Sequence, residues 1–387
     1  MKLMSIAGAR PNFMKLAAIA CAVEEFNQGN GATGRTILHR IVHTGQHYDQ
    51  KMSEGFFDDL GIPKPDINLE VGSGTHAFQT AEIMKRFELV LLEEQPDVLL
   101  VVGDVNSTIA CTLVAAKIDY RERTASPSSE RNRPVIVHVE AGLRSFDRDM
   151  PEEINRILTD AISDLLFVTE QSGQDNLLHE GIAPEKIHFV GNVMIDTLRR
   201  HLEKAEQSPI RRHLSIQEPY GLVTLHRPSN VDTREALAPL LQCLHDISRK
   251  IRLVFPVHPR TRNNMERFGL LAGLLDNPGI TVAEPLGYLD FLNLLQGAAM
   301  VITDSGGIQE ETTILHVPCL TLRHSTERPV TVTEGSNYLI GTDIEKIRQT
   351  VDAVLSGNCK KGTLPKFWDG HSGRRIISTL ADYIQSH

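Results

Sequence analysis

Short apolar runs alternate with longer amphipathic ones along almost the whole chain, and few folds accommodate that rhythm. Strand-like runs fall at 3–7, 37–43, 98–102, 135–139, 165–168 and 187–190, then again at 221–225, 251–256, 281–283, 300–303 and 319–322. Between them lie helix-like stretches such as 13–26, 77–94, 108–117, 153–162 and 234–250. Strands that are apolar throughout, rather than at every second residue, are buried on both faces, as in a parallel sheet covered by helices. The alternation therefore predicts an α/β protein. At 387 residues the chain is long for one core. The rhythm breaks at 195–219 into a charged, helical stretch carrying Pro209 and Pro219. The expectation is two doubly wound domains facing across a cleft, at 1–200 and 201–370, followed by a C-terminal helix at 371–387. The segment 119–134, DYRERTASPSSERNRP, has the composition of an exposed loop.

Charge and cysteine usage narrow the partners. A net charge of −9, from 40 basic and 49 acidic residues, argues against a nucleic-acid binder but leaves room for a small anionic ligand. The five cysteines are scattered, odd in number and without CxxC spacing, which suits a reducing compartment and offers no disulfide or metal framework. No HxH, HExxH or Cys/His cluster supports a catalytic metal, and no GxGxxG fingerprint supports a nicotinamide dinucleotide. No cofactor is expected. A single lysine and a short apolar stretch precede Arg10, so no secretory signal is expected, and no apolar run approaches membrane-spanning length. The cytoplasm is the expected location.

In open α/β sheets, ligands bind outside the carboxyl ends of the strands. Polar residues gather at those positions here. Gly8-Ala-Arg-Pro-Asn12, with Lys15 a turn further on, follows the first run, and Thr44-Gly-Gln46-His47 the second. GDVNST, EAGLRSFDRDMPEEINR, HRPSN, HPRT, DSGGIQEE and RHSTERP follow later runs. Any one of these has a local explanation. In TDSGGIQEE (303–311), Ser305 can cap a helix, the glycines can turn the chain, and acids suit a helix start. Equally, free amides at a helix start hold a phosphate, and a nearby carboxylate holds a sugar hydroxyl. Eight such turns on one rim favour the functional reading. Arg10, Lys15 and Arg328, with the amides of Ser305, Gly306 and Gly307, would clamp a diphosphate. Asp104, Glu140 and Glu152 are candidate proton-transfer acids, since crowded carboxylates raise one another's pKa. The local alternatives are that Asp104 shapes a turn, Glu152 suits a helix dipole and Glu140 pairs with Arg144. His226 is a cleft ligand or a packed histidine, and its place at a strand end beside Arg227 favours the cleft.

Together, GARPNFMK, TGQH, GDVNST, HVEAGLRS, MPEEINR, HRPSN, DSGGIQEE and TERP resemble the non-hydrolysing UDP-N-acetylglucosamine 2-epimerase family, in family order from residue 8 to 329. The resemblance implies two Rossmann-like domains of GT-B type, a homodimer, and interconversion of UDP-GlcNAc and UDP-ManNAc without a cofactor. It implies that Asp104, Glu140 and Glu152 are catalytic acids and His226 the catalytic histidine. It places Arg10, Lys15 and Arg156 as ligand contacts of the first domain. Phe291, Ser305, Gly306, Gly307, Glu311 and Arg328 fall where the family holds uridine, ribose and diphosphate. Two departures stand out. Asn12 replaces an acid in the opening motif, and VGSGTHAFQT offers no arginine to complement Gln46 at a regulatory substrate site. The rival readings are a hydrolysing relative that releases ManNAc, a retaining glycosyltransferase, and a nucleotide-sugar-binding protein without catalysis.

Overall fold

The computed structural model describes residues 1–30, 35–45, 61, 63–122 and 132–386. Contacts divide the chain into two units, Met1–Thr197 with Lys366–His387, and Leu198–Pro365. The first crossing falls at 197/198 rather than 200/201. The second falls at 365/366, so the last helix belongs to the first unit and does not stand apart.

Among the described residues the first unit carries a seven-stranded parallel sheet. Its strands are β1 (Lys2–Ala7), β2 (Leu38–His43), β3 (Ile67–Asn68), β4 (Val98–Val102), β5 (Val135–Ala141), β6 (Leu165–Val168) and β7 (Ile187–Phe189). The order is β3-β2-β1-β4-β5-β6-β7. Connections run outward in one direction from β1 and in the other from β4, so the crevice at their carboxyl ends is the switch point where such sheets bind ligands. The all-apolar strand β4 is buried at every residue. Helix His76–Glu94 covers the sheet with Gln79, Ile83, Phe87 and Leu91, a stripe spaced by four. The Thr75 hydroxyl accepts from Phe78 N at its start.

The last helix, Ser372–Ser386, packs on helix Arg10–Asn30. Its first amides, Ser372 N and Gly373 N, donate to the Asp196 carboxylate at 3.1 and 2.7 Å. Trp368 is fully buried and donates its indole N–H to Thr169 O at 2.9 Å.

The second unit repeats the design with β8 (Tyr220–Thr224), β9 (Arg252–Pro256), β10 (Ile280–Ala283), β11 (Met300–Thr303), β12 (Cys319–Thr321) and β13 (Asn337–Leu339). All pair in parallel, in the order β10-β9-β8-β11-β12-β13, and the switch point lies between β8 and β11. Leu237, Leu241 and Leu244 of helix Arg234–Ile247 pack with Ile347, Val351 and Val354 of helix Ile344–Leu355 in one core. Among the described residues no helix is long and apolar enough to cross a membrane.

Candidate active site

Each switch point is lined by the residues that the sequence singles out. In the first unit, β1 ends at Ala7 and β4 at Val102, and Asn12 ties the two ends together. Its side-chain oxygen accepts from Ala9 N at 2.9 Å, and its amide nitrogen donates to Val102 O at 2.9 Å. A carboxylate could accept the first bond but could not donate the second, which is a local reason for asparagine at this position. Arg10 opens the helix that follows, and its side chain lies outside what is described, as do Gln46 and His47.

Lys15 and Glu140 form a buried ion pair beside Gly103. This rules out the local alternative in which Glu140 pairs with Arg144. Arg144 instead binds Asp160 at 2.7 Å and grips Glu180 with two bonds of 2.8 and 2.7 Å. Glu140 has φ +73°, and the β5–β6 register slips between Val139 and Ala141. A bulge with a non-glycine residue in the left-handed region costs about 1–3 kcal/mol and re-aims a side chain, and such strain concentrates at functional sites.

Asp104 sits on the turn after β4 and accepts from Arg156 Nε at 3.0 Å and Nη2 at 2.8 Å. Arg156 is buried and also pairs through Nη1 with Glu153 at 2.5 Å. Glu153, the neighbour that sequence reasoning passed over, is itself buried and accepts from Ser145 N and Phe146 N. The two glutamates of PEEINR thus divide their work. Glu153 builds the wall, while Glu152, one residue earlier in helix Pro151–Ile162, has no hydrogen-bond or ion partner among the described residues. Ser107 binds the Thr44 hydroxyl at 2.7 Å, and Val105 occupies the cap position of the helix that begins at Asn106.

In the second unit Asp304 organises the rim. Its fully buried carboxylate accepts from His226 N, Arg227 N at 2.9 Å and Asn230 Nδ2 at 3.1 Å, and faces His226 Nδ1 at 2.9 Å. Burial pushes this carboxyl up, but the His226 contact and the backbone amides outweigh it and hold the group below the usual carboxylate range. Asp304 therefore orients His226, whose half-exposed ring stacks obliquely on His258 at 5.6 Å.

Ser305 precedes helix Gly306–Leu315 but makes no side-chain cap bond, so the helix start is not closed by its own hydroxyl. A Cβ at Gly307 would meet nothing within 4 Å, whereas one at Gly306 would press on Arg328 Nη1 at 3.0 Å. The Arg328 guanidinium thus lies beside the helix start, held by Glu310 at 2.7 Å and Glu327 at 2.8 Å. Glu327 is also gripped by Arg323 at 2.8 Å. Against its burial, the two arginines hold the Glu327 carboxyl far below its ordinary value.

Glu311 behaves in the opposite way. Burial first, and the neighbouring Glu310 second, push its carboxyl up to about 8, against a smaller lowering by the Tyr288 hydroxyl. The buried Tyr288 hydroxyl lies against it without completing a well-formed hydrogen bond. Phe291 is half-buried, one turn further along helix Tyr288–Gly297. Asp304, Glu310, Glu327 and Tyr288 were missed as site builders, although three of the four stand inside the DSGGIQEE and TERP blocks.

Two parallel Rossmann-like units, each with charged side chains concentrated at its switch point, define an α/β protein of the GT-B-like nucleotide-sugar class. Comparison with known proteins gives the family. The model of the UDP-N-acetylglucosamine 2-epimerase family matches residues 32–381, and the chain belongs to that family. It is 42% identical over 386 residues to a UDP-N-acetylglucosamine 2-epimerase of Methanocaldococcus jannaschii, covering 98% of this chain and 99% of the relative. It is 39% identical to the UDP-2,3-diacetamido-2,3-dideoxy-D-glucuronate 2-epimerase of Pseudomonas aeruginosa, covering 99% of both. The crystal structure of the Methanocaldococcus jannaschii UDP-GlcNAc 2-epimerase in complex with UDP-GlcNAc and UDP matches with a TM-score of 0.85, over 99% of this chain and 100% of that one.

Proposed function

We propose that this chain interconverts UDP-GlcNAc and UDP-ManNAc by eliminating UDP across C1 and C2 and adding it back. The observation that carries the reading is the strained, buried Glu140 with Lys15 at the β1/β4 switch point, in a chain of this family. The C2 proton is not next to a carbonyl, so deprotonation alone is too costly. If a carboxylate takes that proton while the C1–O bond breaks, its electron pair leaves on the β-phosphate oxygen of UDP and a C1=C2 glycal remains. Donors fixed around the diphosphate stabilise the developing charge, by about 2.7–4 kcal/mol each in comparable sites. UDP then re-adds at C1 as an acid returns a proton to the other face of C2. Asp104, Glu140 and Glu152 are assigned the proton transfers, with His226 assisting the leaving oxygen. Arg10, Lys15 and Arg156 contact the ligand from the first unit. The amides of Ser305, Gly306 and Gly307, with Arg328, hold the diphosphate. Glu311 holds the ribose and Phe291 the uracil. No cofactor enters, since no net oxidation occurs. A nucleotide-sugar substrate and cysteines that form no disulfide suit the cytoplasm, and the working unit is a homodimer, to be checked by light scattering.

Incubation with UDP-GlcNAc in D2O, followed by proton and phosphorus NMR, tests the reading. UDP-ManNAc carrying deuterium at C2 is expected. Free ManNAc with UDP would mean hydrolysis instead, and bound but unchanged substrate would mean a binding protein.

The open space at Gly307 gives a second test. Valine there is no worse a helix former than glycine, so the melting temperature of Gly307→Val should stay within about 2–4 °C of the parent. Its side chain would fill the approach to the helix amides, and UDP affinity by calorimetry should fall roughly tenfold or more. Unchanged affinity would remove the phosphate from this helix start. Replacing Arg328 would be a poorer test, because it strips Glu310 and Glu327 of a buried partner as well.

A further inference from the structure

His138 lies in the middle of β5 with no exposed surface, and neither of its ring nitrogens faces solvent. Nε2 is 2.8 Å from the carbonyl oxygen of Gly103, and Nδ1 is 2.6 Å from Asp160 Oδ1. The other Asp160 oxygen accepts from Gly142 N at 3.1 Å and pairs with Arg144 at 2.7 Å. Gly103 immediately precedes Asp104, and Gly142 follows Glu140 by two residues. Both glycines have positive φ, +69° and +78°, so each marks a sharp turn that a bond can hold or release. One buried pair is therefore fastened to both turns that carry the assigned acids.

We propose that His138 and Asp160 are positioning residues for the epimerisation, fixing the Gly103 turn and the Gly142 turn so that Asp104 and Glu140 keep a set spacing. A carbonyl oxygen only accepts, so Nε2 must donate to Gly103. Asp160 Oδ1 belongs to a carboxylate that Arg144 and the Gly142 amide keep in its accepting form, so Nδ1 donates as well. Both ring nitrogens of His138 thus donate, and the ring is enclosed by Asp160 with Arg144 and Glu180 beyond it, while Lys15 and Glu140 lie beside Gly103. A ring protonated on both nitrogens binds both oxygens with charge-assisted hydrogen bonds, which a neutral ring cannot do. Neither residue meets the substrate in this scheme. Their effect reaches the reaction through the two turns, where displacement of a catalytic group by about 1 Å can cost 100-fold in rate.

The inference rests on the epimerase reading, and its test separates the two. The parent enzyme is first assayed for UDP-ManNAc formation; absence of product would overturn the reaction, whatever the state of His138. His138→Gln and Asp160→Asn are then compared with it. Glutamine can donate to Gly103 or to Asp160 but not to both, and asparagine presents an NH2 where the carboxylate accepted. The expected result is kcat lower by roughly 30- to 100-fold, with KM and the calorimetric UDP affinity within about threefold. A kcat within threefold of the parent in both variants overturns the positioning role, and so does a parallel loss of UDP affinity and kcat. Because these variants disturb a buried network, the parent protein provides an independent measurement. Nitrogen NMR of ring-labelled histidine should show His138 donating from both ring nitrogens, and a neutral tautomer would overturn the proposal.

Discussion

Turnover of UDP-GlcNAc should fall by roughly 100-fold or more in each of Asp104→Asn, Glu140→Gln and Glu152→Gln, with UDP still bound. The three variants differ in what else they disturb. Glu152 has no partner among the described residues, so Glu152→Gln removes a proton carrier and little else, and its melting temperature should match the parent. Asp104→Asn weakens one partner of Arg156, which retains Glu153. Glu140→Gln leaves the buried Lys15 without its counter-charge, which costs about 3–5 kcal/mol in comparable sites. It should therefore melt lowest as well as turn over slowly. Comparing NMR turnover with calorimetric UDP affinity and melting temperature resolves these cases. Near-normal turnover in all three variants, or a product fully protiated at C2 after reaction in D2O, would refute the elimination mechanism.

Such assignments rest partly on what the sequence displays and partly on what it hides. The wholly apolar runs were legible. β4, β6 and β11 begin and end where the sequence predicts, because strands buried on both faces leave no ambiguity of register or phase. The missed strands, β3 and β13, are two- and three-residue edge strands with polar residues. They are held by a single neighbour, and no periodicity can show in so short a run. Residue order also revealed which turns carry polar groups. It could not reveal partners. Glu140 finds Lys15, far away in sequence, rather than Arg144 four residues on, because the bulge at Glu140 turns its side chain aside. The cap of the last helix comes from Asp196, 176 residues upstream of Ser372. His138 looked like one more residue of an apolar strand, and its meaning lies wholly in the Asp160 and Gly103 oxygens beside it. Local chemistry was readable, whereas pairing set by tertiary structure was not.

Glu311 should make the folded chain lose stability as pH rises from about 4.5 to about 8, and Glu311→Gln should abolish that loss. The sign follows from its raised pKa. Below its ordinary value of 4.5 the carboxyl is protonated in both states and contributes nothing to the pH dependence. Between there and about 8 the unfolded chain releases the proton while the folded chain keeps it, so unfolding gains about 1.4 kcal/mol per pH unit. Above about 8 both states are ionised and the difference is constant, at roughly 5 kcal/mol in total. Glutamine keeps the shape and carries no titrating proton. The variant should match the parent near pH 4.5 and exceed it in denaturant-derived stability by several kcal/mol near pH 8. The same proton bears on the ligand. A carboxylate that accepts bonds from both ribose hydroxyls must be ionised, so UDP binding should displace the proton and strengthen as pH rises toward 8. Calorimetry in two buffers of different ionisation enthalpy would read that release directly, and Glu311→Gln should show none of it. If parent and variant differ in stability by the same amount at pH 5 and pH 8, Glu311 is not a buried neutral acid. If UDP binds the parent without releasing protons, the ribose is held by another group.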